Sequence, residues 1–362
     1  MKALRVVFPA PRQVALEEFE LAAPGPGQVL VKTEQTLIST GTELTALTGD
    51  FPPRSVWANY VRYPWYPGYS HVGRVLAAGP PTGGQSPGGR GGGGGSSGPG
   101  ESDQGSAAPG ALVLSHAPHA SHALVPREHV RVLPPGVGAA EATFGVLAAT
   151  VLNGVRRARI ALGEAVAIAG AGLLGQLCAQ VVRLSGGFPV ISIDLAAGRL
   201  QLASRLRAAG PTHTLCMPVA EARPEVLRLT RGRGADAAFE VTGHPAVVAP
   251  LLRLLRREGR AILLGSPRGP SQIDLHDEVH TLGLHVIGAH ASTHPSHETF
   301  LTPWTRERNV ELFLALLQAG HLDVRSLITH QYPGTAAPEA FALLLEDRTQ
   351  AVGVILDWTS LP

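Results

Sequence analysis

Cysteine is scarce: the 362 residues hold two, Cys178 and Cys216. Two thiols build neither a disulfide framework nor a four-cysteine zinc knuckle. Lysine is equally rare. Lys2 and Lys32 are the only ones among 30 basic residues, so arginine makes the pI of about 8.7. The arginines are scattered and the formal charge is only +2, which gives no basis for nucleic-acid binding. Their longest cluster, Arg253 to Arg260, is expected on the solvated face and end of a helix. No apolar run is long enough to span a membrane. The first eight residues are too short and wrongly flanked for a signal peptide and read as a strand. These absences suit a cytoplasmic globular protein, and the length suits two domains.

What the chain does have is a glycine pattern in a telling context. Ala165 to Ala169 is a short apolar run with β-branched residues, which reads as a buried parallel strand. Gly170, Gly172 and Gly175 follow as Gly-x-Gly-x-x-Gly. Apolar residues then recur at helical spacing at Leu173, Leu177, Val181 and Leu184. Strand, glycine turn and helix together predict a dinucleotide site. Gly170 permits the turn, Gly172 admits the pyrophosphate, and Gly175 lets helix and strand pack closely. Leu173 and Leu174 open the helix whose positive end faces the phosphates. A second strand, Pro189 to Asp194, ends on a carboxylate placed to accept the adenosine ribose hydroxyls. That carboxylate repels a 2′-phosphate and favours NAD over NADP, while Arg199 on the next helix softens the preference.

Upstream, strands are expected at 3–8, 14–18, 29–36 and 71–77, with a short helix starting near Thr42, a plausible N-cap. Residues 79–110 are mostly Gly, Pro and Ser and are expected to be a flexible insertion at a hairpin tip. Returning strands follow at 111–114 and 123–125. His116, His119 and His122 lie between them. Spacing of three on an extended chain alternates faces and Pro118 disfavours a helix, so these are expected as polar hairpin residues rather than a metal site. His119 or His122 is placed to edge a substrate cleft. Downstream of the glycine loop, strands (211–215, 235–240, 261–265, 284–288) alternate with helices (224–231, 245–257), predicting an α/β fold with a doubly wound parallel sheet. Two more helices, 310–318 and 338–345, and a strand at 351–357 close the chain.

Five stretches carry a family resemblance: Ser39-Thr-Gly-Thr-Glu43, Pro67-Gly-Tyr-Ser-His-Val-Gly73, the glycine loop, Phe239-Glu-Val-Thr-Gly243 and Gly259-Arg-Ala-Ile-Leu-Leu-Gly265. With a β-rich part ahead of a mid-chain dinucleotide fold, the chain resembles the medium-chain dehydrogenase/reductase superfamily, the zinc alcohol dehydrogenase relatives. Residues 38–75 also resemble the bacteriochlorophyllide-a dehydrogenases. The resemblance implies a Rossmann domain at 146–289 and a GroES-like catalytic domain from 1–145 and 290–362. It places Thr242 and Gly243 near the riboses, Gly265 and Ser266 beside the nicotinamide, and Thr150 behind it. Homodimerisation through the 284–288 edge strand is implied as well.

The departures bear on mechanism. Zinc members have Cys-Gly-Thr-Asp where this chain has Thr40-Gly41-Thr42-Glu43, and Gly-His-Glu where it has Gly68-Tyr69-Ser70. A third ligand would fall near Val146. The expectation is a member without zinc, in which a side chain must stabilise or protonate the substrate oxygen. Tyr69 is the first candidate and Thr42 a relay, with Glu43 and His71 as second choices. Thr40, Trp57, Trp65 and His290 are expected at the substrate, in a pocket walled by aromatics that include Tyr63 and Tyr66. The leading function is NAD(H)-dependent hydride transfer on an alcohol/carbonyl pair. An NADPH-dependent reductase of quinones or enones, and a non-catalytic nucleotide-binding protein, remain open.

Overall fold

The computed structural model describes residues 1–81, 107–206 and 209–361, so most of the 79–110 insertion lies outside the described residues. Among those residues the strands form three sheets. Lys2–Val7 and Ala15–Glu20 make an antiparallel pair. Seven strands make a larger sheet whose centre is Gln28–Leu37, flanked by His71–Ala78 and Gly353–Asp357, with His122–Pro126 also pairing on it. Six parallel strands make the third, in the order His213–Cys216, Val190–Asp194, Val166–Ala169, Ala235–Glu240, Leu255–Leu263, His285–Gly288.

Every residue of Val166–Ala169 is buried, as a strand covered by helices on both faces requires. From it the chain winds outward to Val190–Asp194 and His213–Cys216. It then returns to the other side through Ala235–Glu240. The order therefore reverses between Val166–Ala169 and Ala235–Glu240. In such sheets ligands bind beyond the carboxyl ends of the strands at this point. The glycine loop leaves one of these strands and Thr242 and Gly243 leave the other.

The helix Gly145–Ala158 joins the two large sheets. Its Leu147, Val151, Leu152 and Val155 share one buried cluster with Leu37 and Leu114 from the seven-stranded sheet and Ile168, Phe239 and Ile262 from the parallel one. Thr150 and Val146 ride on this helix.

Most expected elements are present, including Leu173–Leu184 with Cys178 fully buried and His285–Gly288 at a sheet edge. Three readings need correction. The helix expected over 245–257 is a short turn, Pro245–Val247, and a helix, Val248–Leu252. A strand then starts at Leu255, because Leu254 and Leu255 are buried, and bulges where Glu258 takes a φ of 57°. The arginine cluster is accordingly not a solvated helix end. Arg253 pairs with Glu278, Arg256 with Asp236 and Arg260 with Glu164, each at 2.5 Å. Gly41, not Thr42, caps the helix Thr42–Thr48, and no side chain caps it. The strand Ile328–Pro333, parallel to Gly353–Asp357, was not anticipated.

Candidate active site

The strand Gln28–Leu37 ends, turns through Ser39 and Thr40, and enters the helix Thr42–Thr48. The strand His71–Ala78 runs antiparallel to it with His71 opposite Thr36. Tyr69, two residues before that strand, thus arrives beside the turn. Gly68 makes the arrangement possible. Its φ is 101°, and a Cβ there would lie 2.4 Å from the backbone nitrogen of His119. Only glycine lets the loop carrying His119 come this close.

The Tyr69 hydroxyl donates to Ser39 Oγ in a short hydrogen bond and reaches Thr42 Oγ1 at 3.3 Å. Ser39 N donates to Glu43 Oε1 at 2.9 Å. Glu43 Oε2 lies 2.8 Å from His119 Nε2, whose Nδ1 meets Thr36 Oγ1, also at 2.8 Å. Trp358 Nε1 donates to the same Thr36 oxygen at 3.1 Å. Glu43 and His119 are wholly enclosed. Burial pushes the Tyr69 phenol well above its ordinary value, and the Glu43 charge pushes it further against the opposing hydrogen bonds from Ser39 and Thr42.

The ring of Tyr69 stacks on His116 at 5.6 Å and 19°. Tyr60 is near enough to add to the rise in the Tyr69 pKa. It stands edge-on to Trp57 and Trp65, 5.9 Å from each. The two tryptophans named from sequence pack into the second core cluster, Trp65 against Phe8 at 5.6 Å and Trp57 against Phe51 at 6.3 Å. His116 is the ring that stacks on Tyr69, and Tyr60 stands with the two tryptophans. Tyr60 was visible in sequence only as one of several aromatics, as His116 was one of several histidines.

Two acid/base candidates are placed where substrate does not reach. His71 is fully buried between Thr33 Oγ1 at 2.8 Å and Ser115 Oγ at 2.7 Å, and burial, with His119 beside it, holds its imidazole down to about 3. It is a neutral strut across three strands. Glu43 touches the site through the Ser39 backbone. Of the hairpin histidines, His119 is interior and His122 bonds Ser121, so neither edges a cleft. His290 is turned to its own loop, with Nδ1 at 2.8 Å from Ser292 Oγ.

The cofactor-side residues converge. Gly170 has a φ of 108°, Gly172 stands at the start of Leu173–Leu184, and a Cβ on Gly175 would fall 1.9 Å from the Gly170 carbonyl oxygen. Leu173 is buried and Leu174 packs against the same cluster. Asp194 accepts Ala171 N at 2.6 Å and Ala196 N at 2.8 Å, tying the glycine turn to the end of its strand. Glu240, unnoticed in sequence, is fully buried at the end of the neighbouring strand. Its Oε1 accepts Thr242 N at 2.7 Å and Gly243 N at 3.0 Å, while Oε2 has no partner. That oxygen lies 2.6 Å from where a Gly265 Cβ would be, and burial pushes the carboxyl up. A Gly243 Cβ would sit 3.1 Å from the Ser266 carbonyl oxygen, so these loops abut. Thr150 Oγ1 turns back to Val146 O at 3.4 Å within its helix.

Beside Gly243, a cleft of about 660 Å³ is lined by Leu44, Phe51, Gly243, His244, Arg268 and Arg348 among others; neither Tyr69 nor the glycine loop lines it. Arg268 Nη1 crosses to Thr45 Oγ1 at 2.6 Å. Among the described residues no three His, Cys, Asp or Glu side chains cluster in a way that would hold a metal, and no helix is long and apolar enough to cross a membrane.

Comparison with known proteins agrees with this architecture. The family pattern of zinc-binding dehydrogenases matches residues 174–304. An L-threonine 3-dehydrogenase of Bacillus licheniformis is 29% identical over 223 residues, 62% of this chain and 59% of that protein. The 2-desacetyl-2-hydroxyethyl bacteriochlorophyllide A dehydrogenase of Cereibacter sphaeroides is 27% identical over 375 aligned positions, covering 99% of both chains. The crystal structure of an alcohol dehydrogenase from Thermus sp. ATN1 superposes with a TM-score of 0.74 over 98% of this chain and 99% of its own, at 22% identity, which speaks for the fold. Over nearly its whole length the chain is similar to the medium-chain dehydrogenase/reductases, the zinc alcohol dehydrogenase relatives, and it is an oxidoreductase.

Proposed function

We propose that the protein is a zinc-independent, NAD(H)-dependent oxidoreductase acting on an alcohol/carbonyl pair, with the Tyr69 hydroxyl in place of the metal. The observation that carries this reading is the Tyr69–Ser39–Thr42 hydroxyl cluster at the position where the zinc relatives place ligands. Thr40, Tyr69 and Val146 offer two hydroxyls and an isopropyl group. Zinc selects thiolate, imidazole and carboxylate, so these side chains do not fit it. A nicotinamide dinucleotide does fit the glycine turn and the unpartnered Glu240 Oε2. Asp194 at the ribose position supports NAD over NADP.

The bound nicotinamide would supply or accept the hydride. The protein's task is the oxygen. A phenol raised above its ordinary value stays protonated through the physiological range, and an alkoxide forming on a reduced carbonyl is a far stronger base than phenolate. Tyr69 therefore gives up its proton only as charge builds on the substrate oxygen, and its raised pKa makes it a weaker acid than an ordinary tyrosine. Ser39 and Thr42 orient the hydroxyl and offer a path for its reprotonation. Glu43 positions Ser39, and Gly68 with His119 closes the loop beneath Tyr69. We read residues 146–289 as the nucleotide-binding domain, the rest as the substrate domain, and His285–Gly288 as the edge of a homodimer.

Tyr69→Phe keeps the ring on His116 and removes only the hydroxyl. Turnover should fall by about 100-fold or more, the usual contribution of a positioned proton donor, with NADH affinity unchanged. Unchanged turnover would remove Tyr69 from the mechanism, and stoichiometric zinc in active protein would overturn the zinc-independent reading.

A further inference from the structure

Between the strands Leu255–Leu263 and His285–Gly288 the chain makes one helical turn, His276–His280, with the sequence His-Asp-Glu-Val-His. None of its residues lines the cleft, and none touches the Tyr69 hydroxyl cluster. The turn is a wide one. Thr281 N donates to His276 O, five residues back, at 2.9 Å. Such turns are rare and frequently mark functional sites.

The turn is held firmly from beneath. Asp274 Oδ1 accepts His276 N and Asp277 N, both at 3.0 Å. Glu278 accepts Asp274 N at 3.0 Å and pairs with Arg253 at 2.5 Å. Val279 and Leu282 pack on the core cluster under the parallel sheet. His276 and His280 are left facing water, one turn apart on the same side. Their rings stand together, with centroids 5.8 Å apart and planes at 43°. Two imidazoles sharing one ion at ordinary metal–nitrogen distances have centroids about 5 Å apart, so a modest side-chain rotation closes the pair.

The ring nitrogens are prepared for such an ion. His276 Nδ1 meets Asp277 Oδ1 at 2.7 Å. A carboxylate accepts, so Nδ1 carries the proton and Nε2 keeps its lone pair. Histidines that bind metals are ordinarily oriented by a carboxylate in this way. Among the described residues, neither His276 Nε2 nor His280 has a protein partner. His290 and His294 share the spacing of four but not this freedom. Both nitrogens of His294 face backbone carbonyl oxygens, of Ala291 at 2.7 Å and Ala149 at 3.1 Å.

We propose that His276 and His280 form a surface chelate for a divalent transition metal, copper(II) ahead of nickel(II) and zinc(II), with Asp277 fixing the ligating tautomer of His276. Two histidines four apart on one helical face are a recurring metal-binding pair. Imidazole suits these ions, whereas magnesium and calcium take oxygen ligands, and copper stands first in the affinity order. Water completes the coordination, so this is an open site and not a closed structural one. A bound ion would brace the turn that leads into the edge strand His285–Gly288. The inference is independent of the dinucleotide and of the chemistry at Tyr69.

The test is calorimetric titration of the full chain with copper(II), zinc(II) and magnesium, repeated on His276→Ala, His280→Ala and Asp277→Asn. The wild type should bind one copper per chain at this turn, and each histidine variant should bind it about tenfold or more weakly, because a single imidazole loses the chelate. Asp277→Asn should weaken copper by about tenfold through the orientation of His276. Copper should raise the melting temperature of the wild type and not of the histidine variants. Zinc carried at this turn should leave with His280→Ala while turnover is kept. Unchanged copper affinity in either histidine variant, or magnesium bound as tightly as copper, would overturn the chelate. A readout that needs no variant is the electron paramagnetic resonance of wild type with one equivalent of copper. Splitting from two nitrogens supports the pair; an all-oxygen spectrum refutes it.

Discussion

Acid should loosen the seven-stranded sheet through one histidine. His71 is fully buried, with Nε2 on Thr33 and Nδ1 on Ser115, so it ties Gln28–Leu37 and Leu112–Ser115 to its own strand. Burial holds its pKa at about 3, far below the unfolded value of about 6.5. Between those limits the unfolded chain binds a proton that the folded chain refuses. The stabilisation is therefore complete above the unfolded value and is lost as pH falls toward the folded one. Each pH unit in that window removes about 1.4 kcal/mol, so going from pH 6.5 to about 5 removes about 2 kcal/mol. That is a large share of the roughly 5–15 kcal/mol that keeps a domain folded. Urea unfolding at a series of pH values would measure it, with His71→Gln as the comparison. The variant should start weaker, because Thr33 and Ser115 lose well-placed partners, and should then fall less steeply with acid by about 2 kcal/mol over the same window. Burial also lowers the pKa of His116 and His122, so a residual slope belongs in the variant. Parallel curves for the two proteins would refute the assignment to His71.

Two further outcomes follow from the cofactor side. Gly175→Ala places a methyl 1.9 Å from the Gly170 carbonyl oxygen; NADH titration should show binding reduced by about 100-fold or more, because the turn must open to relieve the clash. Asp194→Ala removes the acceptor for Ala171 N and Ala196 N together with the negative charge; the ratio of NADH to NADPH affinity should fall by about tenfold, and an unchanged ratio would show that the carboxylate does not select the cofactor.

The parallel sheet was legible because its signals are local. A β-branched apolar run, three glycines and a helical apolar stripe each reflect the conformation of a few consecutive residues. The departures from the zinc-ligand motifs were read from residue identity alone, and metal analysis of the purified protein tests them. The misread stretch was 245–260. The strand–helix alternation suggested a helix over 245–257, but Leu254 and Leu255 found a buried place beside Ala235–Glu240, and Glu278, Asp236 and Glu164 paired with Arg253, Arg256 and Arg260. None of those partners is near in sequence.

The candidate site divides in the same way. Sequence alone determined that a carboxylate follows the second strand, and it supports the proposal that a phenol and hydroxyls stand where the zinc relatives keep metal ligands. Only tertiary structure decided what each group can do. His119 comes across from a separate hairpin to take Glu43, and His71 is sealed among three strands. His116 stacks on Tyr69, and Arg268 and Arg348 reach one cleft from distant parts of the chain. Burial and partners set the protonation and reach of a polar side chain. Both come from segments whose proximity is decided by packing, which no local pattern records.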